Sequence, residues 1–247
     1  MSIVYLLGKS KIEIICHEVE YIESYKGIKN IVMYIFKKVE IIRWNFSPKL
    51  LFHSHQEINK FVRSFNYQKG NIQLIAHNYY FQKKFDGTEE EARQILLINT
   101  TYKVFLCIGF IAIHKGFHKA INSFIKTKSP NNRLFIIGHV KNNDLSSGSY
   151  IDFLRNLANQ DKRVVICNQY LDEKVFDMWI AASNYVILPY SQVWSSGVIE
   201  RVKLYNKISI VADSGALPEQ ADQNSIIFKS EGELDIIMRS LSNELEC

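Results

Sequence analysis

Three runs in the second half of the chain bring together residue types that can hold an anion or a sugar. The first, Gly109-Phe110-Ile111-Ala112-Ile113-His114-Lys115-Gly116, leaves an apolar stretch as a loop of phosphate size. Lys115 stands immediately before a helix expected to begin at Gly116 or Phe117. An ammonium there is mildly unfavourable against the helix dipole. With an anion present, the same ammonium and the N–H groups of the helix start become a phosphate site. Gly116 permits close backbone approach. The second run is Pro189-Tyr190 followed by Ser195-Ser196-Gly197-Val198-Ile199-Glu200. A lone glutamate on a helix is usually just solvated, and only its place after Ser-Gly-Val singles out Glu200. The third run, Asp213-Ser214-Gly215-Ala216-Leu217-Pro218-Glu219, is a glycine turn leading into Pro-Glu.

The elements that must position these runs alternate cleanly. Apolar, β-rich stretches predict strands over 104–110, 133–138, 163–167, 185–188, 208–211 and 225–228. Helical spacing predicts helices over 117–126, 150–158, 173–182, 197–204 and 231–244. Alternation at this pitch means βαβ units and a parallel sheet with helices on both faces. Right-handed crossovers then place every strand-end loop on one edge, where such sheets bind ligands. A Rossmann-like domain is therefore expected over 101–247. Residues 1–100 are less regular, with strands over 11–16, 49–53 and 71–76 and helices over 27–44 and 56–65. The four residues Thr88-Glu89-Glu90-Glu91 suggest a solvated helix or loop over 86–94. In the helix over 27–44, Ile31, Val32, Ile35, Phe36, Val39 and Ile42 form a stripe beside Lys29, Lys37, Lys38 and Arg43. That pattern suits either an anionic membrane surface or an ordinary helix packed on a sheet.

The composition narrows the function classes. The 247 residues are 47% hydrophobic, enough for one large or two modest packed domains. The net charge of +5 fits an anionic substrate or a phospholipid surface but demands neither. No arginine-rich or aromatic-interleaved nucleic-acid motif is present. Cys16, Cys107, Cys167 and Cys247 show no paired spacing, which points to core residues in a reducing, cytoplasmic compartment. The apolar opening of the chain is broken by Lys9 and Lys11 and lacks a cleavage site, and no run reaches the ~20 apolar residues of a membrane span. His17, His53, His55 and His77 follow expected strands. No metal site is read among them. Leu7-Gly8-Lys9-Ser10 ends like a P-loop, but Ile3 stands where the leading glycine is needed.

The order and spacing of the three runs resemble the donor half of the family-4 (group 1) glycosyltransferases, which have the GT-B fold. The resemblance covers nearly all of 101–245 and, more weakly, 11–100. It implies two facing Rossmann-like domains, with 1–100 an incomplete acceptor-side domain and 101–247 the nucleotide-sugar domain. It gives donor-binding roles to Gly109, Lys115, Gly116, Gln192, Ser196, Gly197, Val198 and Glu200. In similar proteins the Lys-Gly pair and the Ser-Gly-Val amides meet the donor diphosphate, and the glutamate meets the ribose hydroxyls. The base would pack near 168–171, and His17 would line the reaction centre as the catalytic residue. The implied reaction is metal-independent, retaining transfer of a hexose from a UDP- or GDP-sugar to a saccharide or lipid-linked acceptor, with no cofactor and no nucleic acid. It would take place in the cytoplasm, with peripheral membrane contact only if 27–44 is the membrane-facing alternative of the two readings above.

Three departures from the family pattern stand beside this expectation. An arginine is usual in the loop where Phe110 and Ala112 stand. The usual pair of glutamates eight apart reads Gln192 and Glu200, closer to a subset with Pro-Tyr and Ser-Gly-Val. The opening strands of the first domain are missing, as in a fragment or a natural short form. These departures also suit a truncated, non-catalytic nucleotide-sugar-binding protein or a partner subunit.

Overall fold

The apolar runs expected as strands in the second half form a six-stranded sheet in which every neighbouring pair is parallel. Its strands are β4 (Lys103–Ile108), β5 (Asn132–Gly138), β6 (Val164–Asn168), β7 (Tyr185–Leu188), β8 (Ile208–Ala212) and β9 (Ser225–Phe228). The computed structural model describes residues 14–16, 35, 38–39, 41–42, 44, 49–68, 70–75, 81–140 and 145–243, with backbone only at 145–147 and 243. Strands β4 and β7 are buried along their whole lengths. Continuous burial is the signature of a parallel sheet covered on both faces.

The strand order is β6-β5-β4-β7-β8-β9. The chain builds outward from β4 to β6, returns across the sheet, and builds outward again from β7. This is the doubly wound order, and the strands flanking its reversal leave a crevice outside their carboxyl ends. The loops that follow β4 and β7, 109–116 and 189–196, flank that crevice.

The chain divides into two units, Met1–His77 and Asn78–Cys247. A boundary near residue 100 is what loss of strand-helix alternation suggests, yet residues 81–100 pack with the second unit. Phe85 lies in its hydrophobic core. Helix α2 (Glu89–Ile95) carries the buried Arg93, which donates to the carbonyls of Ala182, Thr100 and Tyr102 and to Asn184 Oδ1 at 2.8–3.1 Å. The helix looks solvated by hydropathy because its attachment is made by hydrogen bonds rather than by an apolar stripe. Tyr205 Oη accepts from Phe85 N and lies 2.9 Å from Asp177 Oδ2. Lys84 N also donates to that oxygen, at 2.8 Å.

The first unit contains β1 (Ile14–Ile15), β2 (Leu50–Phe52) and β3 (Ile72–Leu74), parallel and in that order. Helix α1 (His55–Phe65) begins at an N-cap, Ser54, whose side chain accepts from Glu57 N at 3.1 Å. His55 therefore opens a helix and does not lie on a strand, because the cap ends the extended backbone. Trp44, Phe52, Phe61, Phe65 and Tyr67 form an aromatic core with ring centroids 5.0–6.1 Å apart. The described residues among 35–44 are helical. Trp44 and Ile41 belong to the core, whereas Ile35, Val39 and Ile42 are exposed. The packed face is thus rotated away from the stripe that periodicity picks out.

Candidate functional site

The site is assembled from the residues just past the ends of β4, β5, β6 and β7 and from the start of α6 (Gly197–Leu204). The end of β4 turns at Gly109. A side chain at the facing Gly138 would put its Cβ 1.7 Å from Gly109 O, so only glycine lets the two strand ends close. Beyond it the chain makes a single 3-10 turn, Ile113–Lys115, and leaves it through Gly116 at φ 62°. A Cβ on Gly116 would lie 2.1 Å from Pro189 O. This close approach joins the loop after β4 to the loop after β7. Ser191 N donates to His114 O at 2.9 Å, and Ser214 Oγ donates to Ser191 O at 3.1 Å. The third sequence run is therefore a buttress for the second.

Lys115 extends over the ring of Tyr190, with Nζ 3.9 Å from the ring centroid. A lysine over a buried aromatic face gains of order 1–2 kcal/mol and loses rotamer freedom. Tyr190 is buried, and burial pushes its hydroxyl well above the ordinary phenol range. It stays neutral, and the ammonium is held at the β4–β7 crevice by a ring that does not neutralise it.

Helix α3 (Phe117–Phe124) starts at Gly116 without a side-chain N-cap of its own. The hydroxyl of Tyr150, from α4 (Leu145–Ala158), supplies one from a distance. His118 N donates to Tyr150 Oη at 3.2 Å. Burial raises that hydroxyl to about 12, so it remains a neutral acceptor. Of the amides at this helix start, that of His118 is thus committed to Tyr150 and that of Gly116 to Ile113 O, at 3.0 Å. Lys115 is the cation that this loop brings to the crevice.

The start of α6 is built differently. Ser196 N donates to Gln220 Oε1 at 2.8 Å, and Gln220 Nε2 donates to Ser196 O at 3.2 Å. Of the amides expected to meet a ligand, that of Ser196 is therefore spent inside the protein. Those of Gly197 and Val198 occupy the first positions of α6, where helical N–H groups have no intrahelical acceptor. Val198 Cγ2 lies 3.8 Å from where a Cβ on Gly109 would stand, so the α6 start adjoins the end of β4. Glu200 is 3% exposed. Gln220 Nε2 donates to its Oε1 at 2.8 Å, and Lys203 Nζ lies 3.1 Å from its Oε2. Each carboxylate oxygen retains a second lone pair. Gln192 is exposed in the loop between β7 and α6.

A row of rings crosses the neighbouring strand ends. Phe110, 44% exposed, meets His139 edge-on with centroids 4.9 Å apart. His139 meets Tyr170 at 5.2 Å, and Tyr170 is 76% exposed. The three rings follow β4, β5 and β6, which are adjacent in the sheet. Gln169 N donates to Gly138 O at 2.7 Å and ties the second and third loops together. Phe110, Tyr170 and Tyr190 lie in segments that the sequence singles out, whereas His139, Tyr150 and Gln220 have no role there that the sequence suggests. The Pro-Tyr pair and the Glu219-Gln220 step were visible signals without a local partner to give them meaning. His17 and His77 lie outside the described residues. Among the described residues, no group of three or more His, Cys, Asp or Glu side chains could hold a metal ion.

The fold is that of GT-B glycosyltransferases. The structure is similar to sucrose-phosphate synthase from Thermosynechococcus elongatus, with TM-score 0.69 and 18% identity over 85% of this chain and 53% of that one. It is similar to Anabaena HepE solved with UDP, with TM-score 0.72 and 15% identity over 85% of this chain and 58% of that one. It also matches the C-terminal domain of a group 1 glycosyl transferase, LpcC, from Francisella tularensis, with TM-score 0.55 and 19% identity over 65% of this chain and 87% of that domain. The chain thus spans little more than half the length of the first two. No protein-family model and no curated protein sequence matches it.

Proposed function

We propose that the second unit binds a nucleotide-activated sugar and that the chain serves hexosyl transfer from a UDP- or GDP-sugar, with retention and without a metal. The observation that carries this reading is the placement of Lys115. It is pinned over Tyr190 at the reversal of strand order, beside the start of α6. Lys115 and the Gly197 and Val198 amides would take the diphosphate, stabilising charge that grows on the leaving group as the sugar–phosphate bond breaks. Glu200 would accept from the ribose through its remaining lone pairs, and Gln192 would touch the sugar. The row Phe110, His139 and Tyr170 lies two strand spacings, roughly 10 Å, across the sheet edge. Its ring faces, inclined to one another by 63–64°, would each offer a place for the base to stack. His17 would line the reaction centre, with a saccharide or lipid-linked acceptor opposite. HepE, solved with UDP and with UDP-glucose, supports the choice of ligand class.

A second reading is a nucleotide-sugar-binding protein without turnover. Phe110 in the arginine position and the commitment of the Ser196 and His118 amides to Gln220 and Tyr150 favour it. Calorimetric titration of UDP and GDP separates these cases. Micromolar binding of one nucleotide is expected, weakened about 10- to 100-fold in Lys115→Ala, since hydrogen bonds to charged groups are worth about 1.5–3 kcal/mol. Absence of binding by either nucleotide would sink the donor-site reading. Binding without transfer to any acceptor would establish the second.

A further inference from the structure

We propose that Gln220 is a positioning residue that presents Glu200 and the start of α6 to the donor. The inference rests on the donor-site reading above. Gln220 ends the short helix α7 (Leu217–Gln220), just past the Pro-Glu pair that the sequence singles out. It is 5% exposed, so its amide is spent inside the protein. Its oxygen accepts from Ser196 N at 2.8 Å. Its nitrogen donates one hydrogen to Ser196 O at 3.2 Å and the other to Glu200 Oε1 at 2.8 Å. A primary amide has two donors and one carbonyl oxygen. Here both donors are engaged, and they are directed at two different features of the same turn.

Each contact has a distinct consequence. The pair of bonds to Ser196 fixes the backbone immediately before Gly197, and so fixes where the first unpartnered amides of α6 point. The bond to Glu200 sets the carboxylate rotamer. Lys203 holds the other oxygen at 3.1 Å, so the carboxylate is gripped from both ends. Without Gln220, Lys203 alone would draw Glu200 along the helix surface. A misplacement of about an ångström is enough to cost ligand recognition heavily. No neighbouring side chain duplicates the amide. Ser196 Oγ is buried toward Tyr190 and does not cap the helix.

Gln220→Glu separates the two functions. The substituted carboxylate is nearly the same shape and still accepts from Ser196 N, but it has no donor for Glu200 or for Ser196 O. Two carboxylates at this distance share one proton and titrate as a pair. The variant should therefore bind nucleotide at least about tenfold more weakly than the wild type at pH 8, the loss of one charge-assisted hydrogen bond. At pH 5.5, where a bridging proton restores the donor, the deficit should shrink to about threefold or less. Gln220→Met, equal in length and without hydrogen bonds, should be weak at both pH values. Thermal unfolding of each variant is followed in parallel to exclude loss of fold. The probe is UDP or GDP, whichever the wild type binds, with affinity expressed relative to wild type at each pH. A pH-dependent ratio in Gln220→Glu with a flat ratio in Gln220→Met supports the positioning role. Wild-type affinity in both folded variants overturns it while leaving the donor site intact. A flat, equal loss in both also overturns it, because a purely packing role gives no pH dependence. Failure of the wild type to bind either nucleotide overturns the donor-site reading and this inference together.

Discussion

Replacing Gly116 by alanine tests whether the crevice depends on the closure of the loop after β4 against the loop after β7. Gly116 has φ 62°, where an L-residue other than glycine is strained by about 1–2 kcal/mol. The added methyl would fall 2.1 Å from Pro189 O and 3.2 Å from Pro189 C, both backbone atoms that no rotamer change can remove. Relief requires the loops to part by about an ångström, since non-bonded carbons approach an oxygen no nearer than about 3 Å. The Ser191 N to His114 O bond, 2.9 Å long, spans that gap and would stretch or break. Its loss adds about 1 kcal/mol. The sum is about 2–3 kcal/mol, which lowers Tm by roughly 4–12 °C in a unit of this size. Lys115, adjacent in sequence, would shift off the Tyr190 ring by a similar distance, and nucleotide affinity should fall about 100-fold. Differential scanning calorimetry gives the first quantity and isothermal titration with UDP or GDP the second. Gly197→Ala is the matched comparison. Its added methyl meets the tip of the Phe81 ring, Cζ at 2.8 Å and Cε1 at 3.1 Å, the far end of a side chain that can turn. Gly116→Ala with a wild-type Tm and affinity would show that the close approach does not organise the site.

Other substitutions test the remaining parts. Asp177 is fully buried and takes bonds from Arg201 Nη1 at 2.6 Å and Lys84 N at 2.8 Å, so Asp177→Ala leaves the largely buried Arg201 to the exposed Glu173 and should cost about 3–5 kcal/mol, read as a drop in Tm of roughly 6–20 °C. The His118 imidazole is held below its ordinary range by burial, then by Lys119. The unfolded chain therefore takes up the proton first, so this group's contribution is complete above about pH 6.5 and is lost as pH falls through the lower folded value. Tm measured from pH 8 to 5 should show that slope in the wild type and a shallower one in His118→Gln. Tyr170→Ala should weaken nucleotide binding about 5- to 100-fold, the worth of one stacked base, with Tm unchanged because Tyr170 is exposed. An unchanged affinity would remove the base from this row.

Much of the second unit is legible in the sequence. The expected bounds of β7, α5 (Glu173–Ala182), α6 and β9 coincide with those observed. A continuous apolar run stopped by Pro189, and apolar residues at helical spacing, leave those segments little choice. The loops carrying Lys115 and Ser196, and the helix start carrying Glu200, follow strand ends for the same reason. The first unit is less legible because short strands and a helix whose core contacts come from Ile41 and Trp44 do not dominate the periodicity.

The sequence by itself determined the alternation of strands and helices and the residue types delivered to the sheet edge. Tertiary structure alone decided that β4 lies beside β7, which brings Gly116 against Pro189 and Lys115 over Tyr190. It also decided which amides remain for a ligand. Tyr150 takes that of His118 from 32 residues away, and Gln220 takes that of Ser196 from 24. Hydropathy repeats with the period of a local element. A hydrogen bond between distant side chain and backbone has no period, and it becomes visible only when the strand order brings its two ends together.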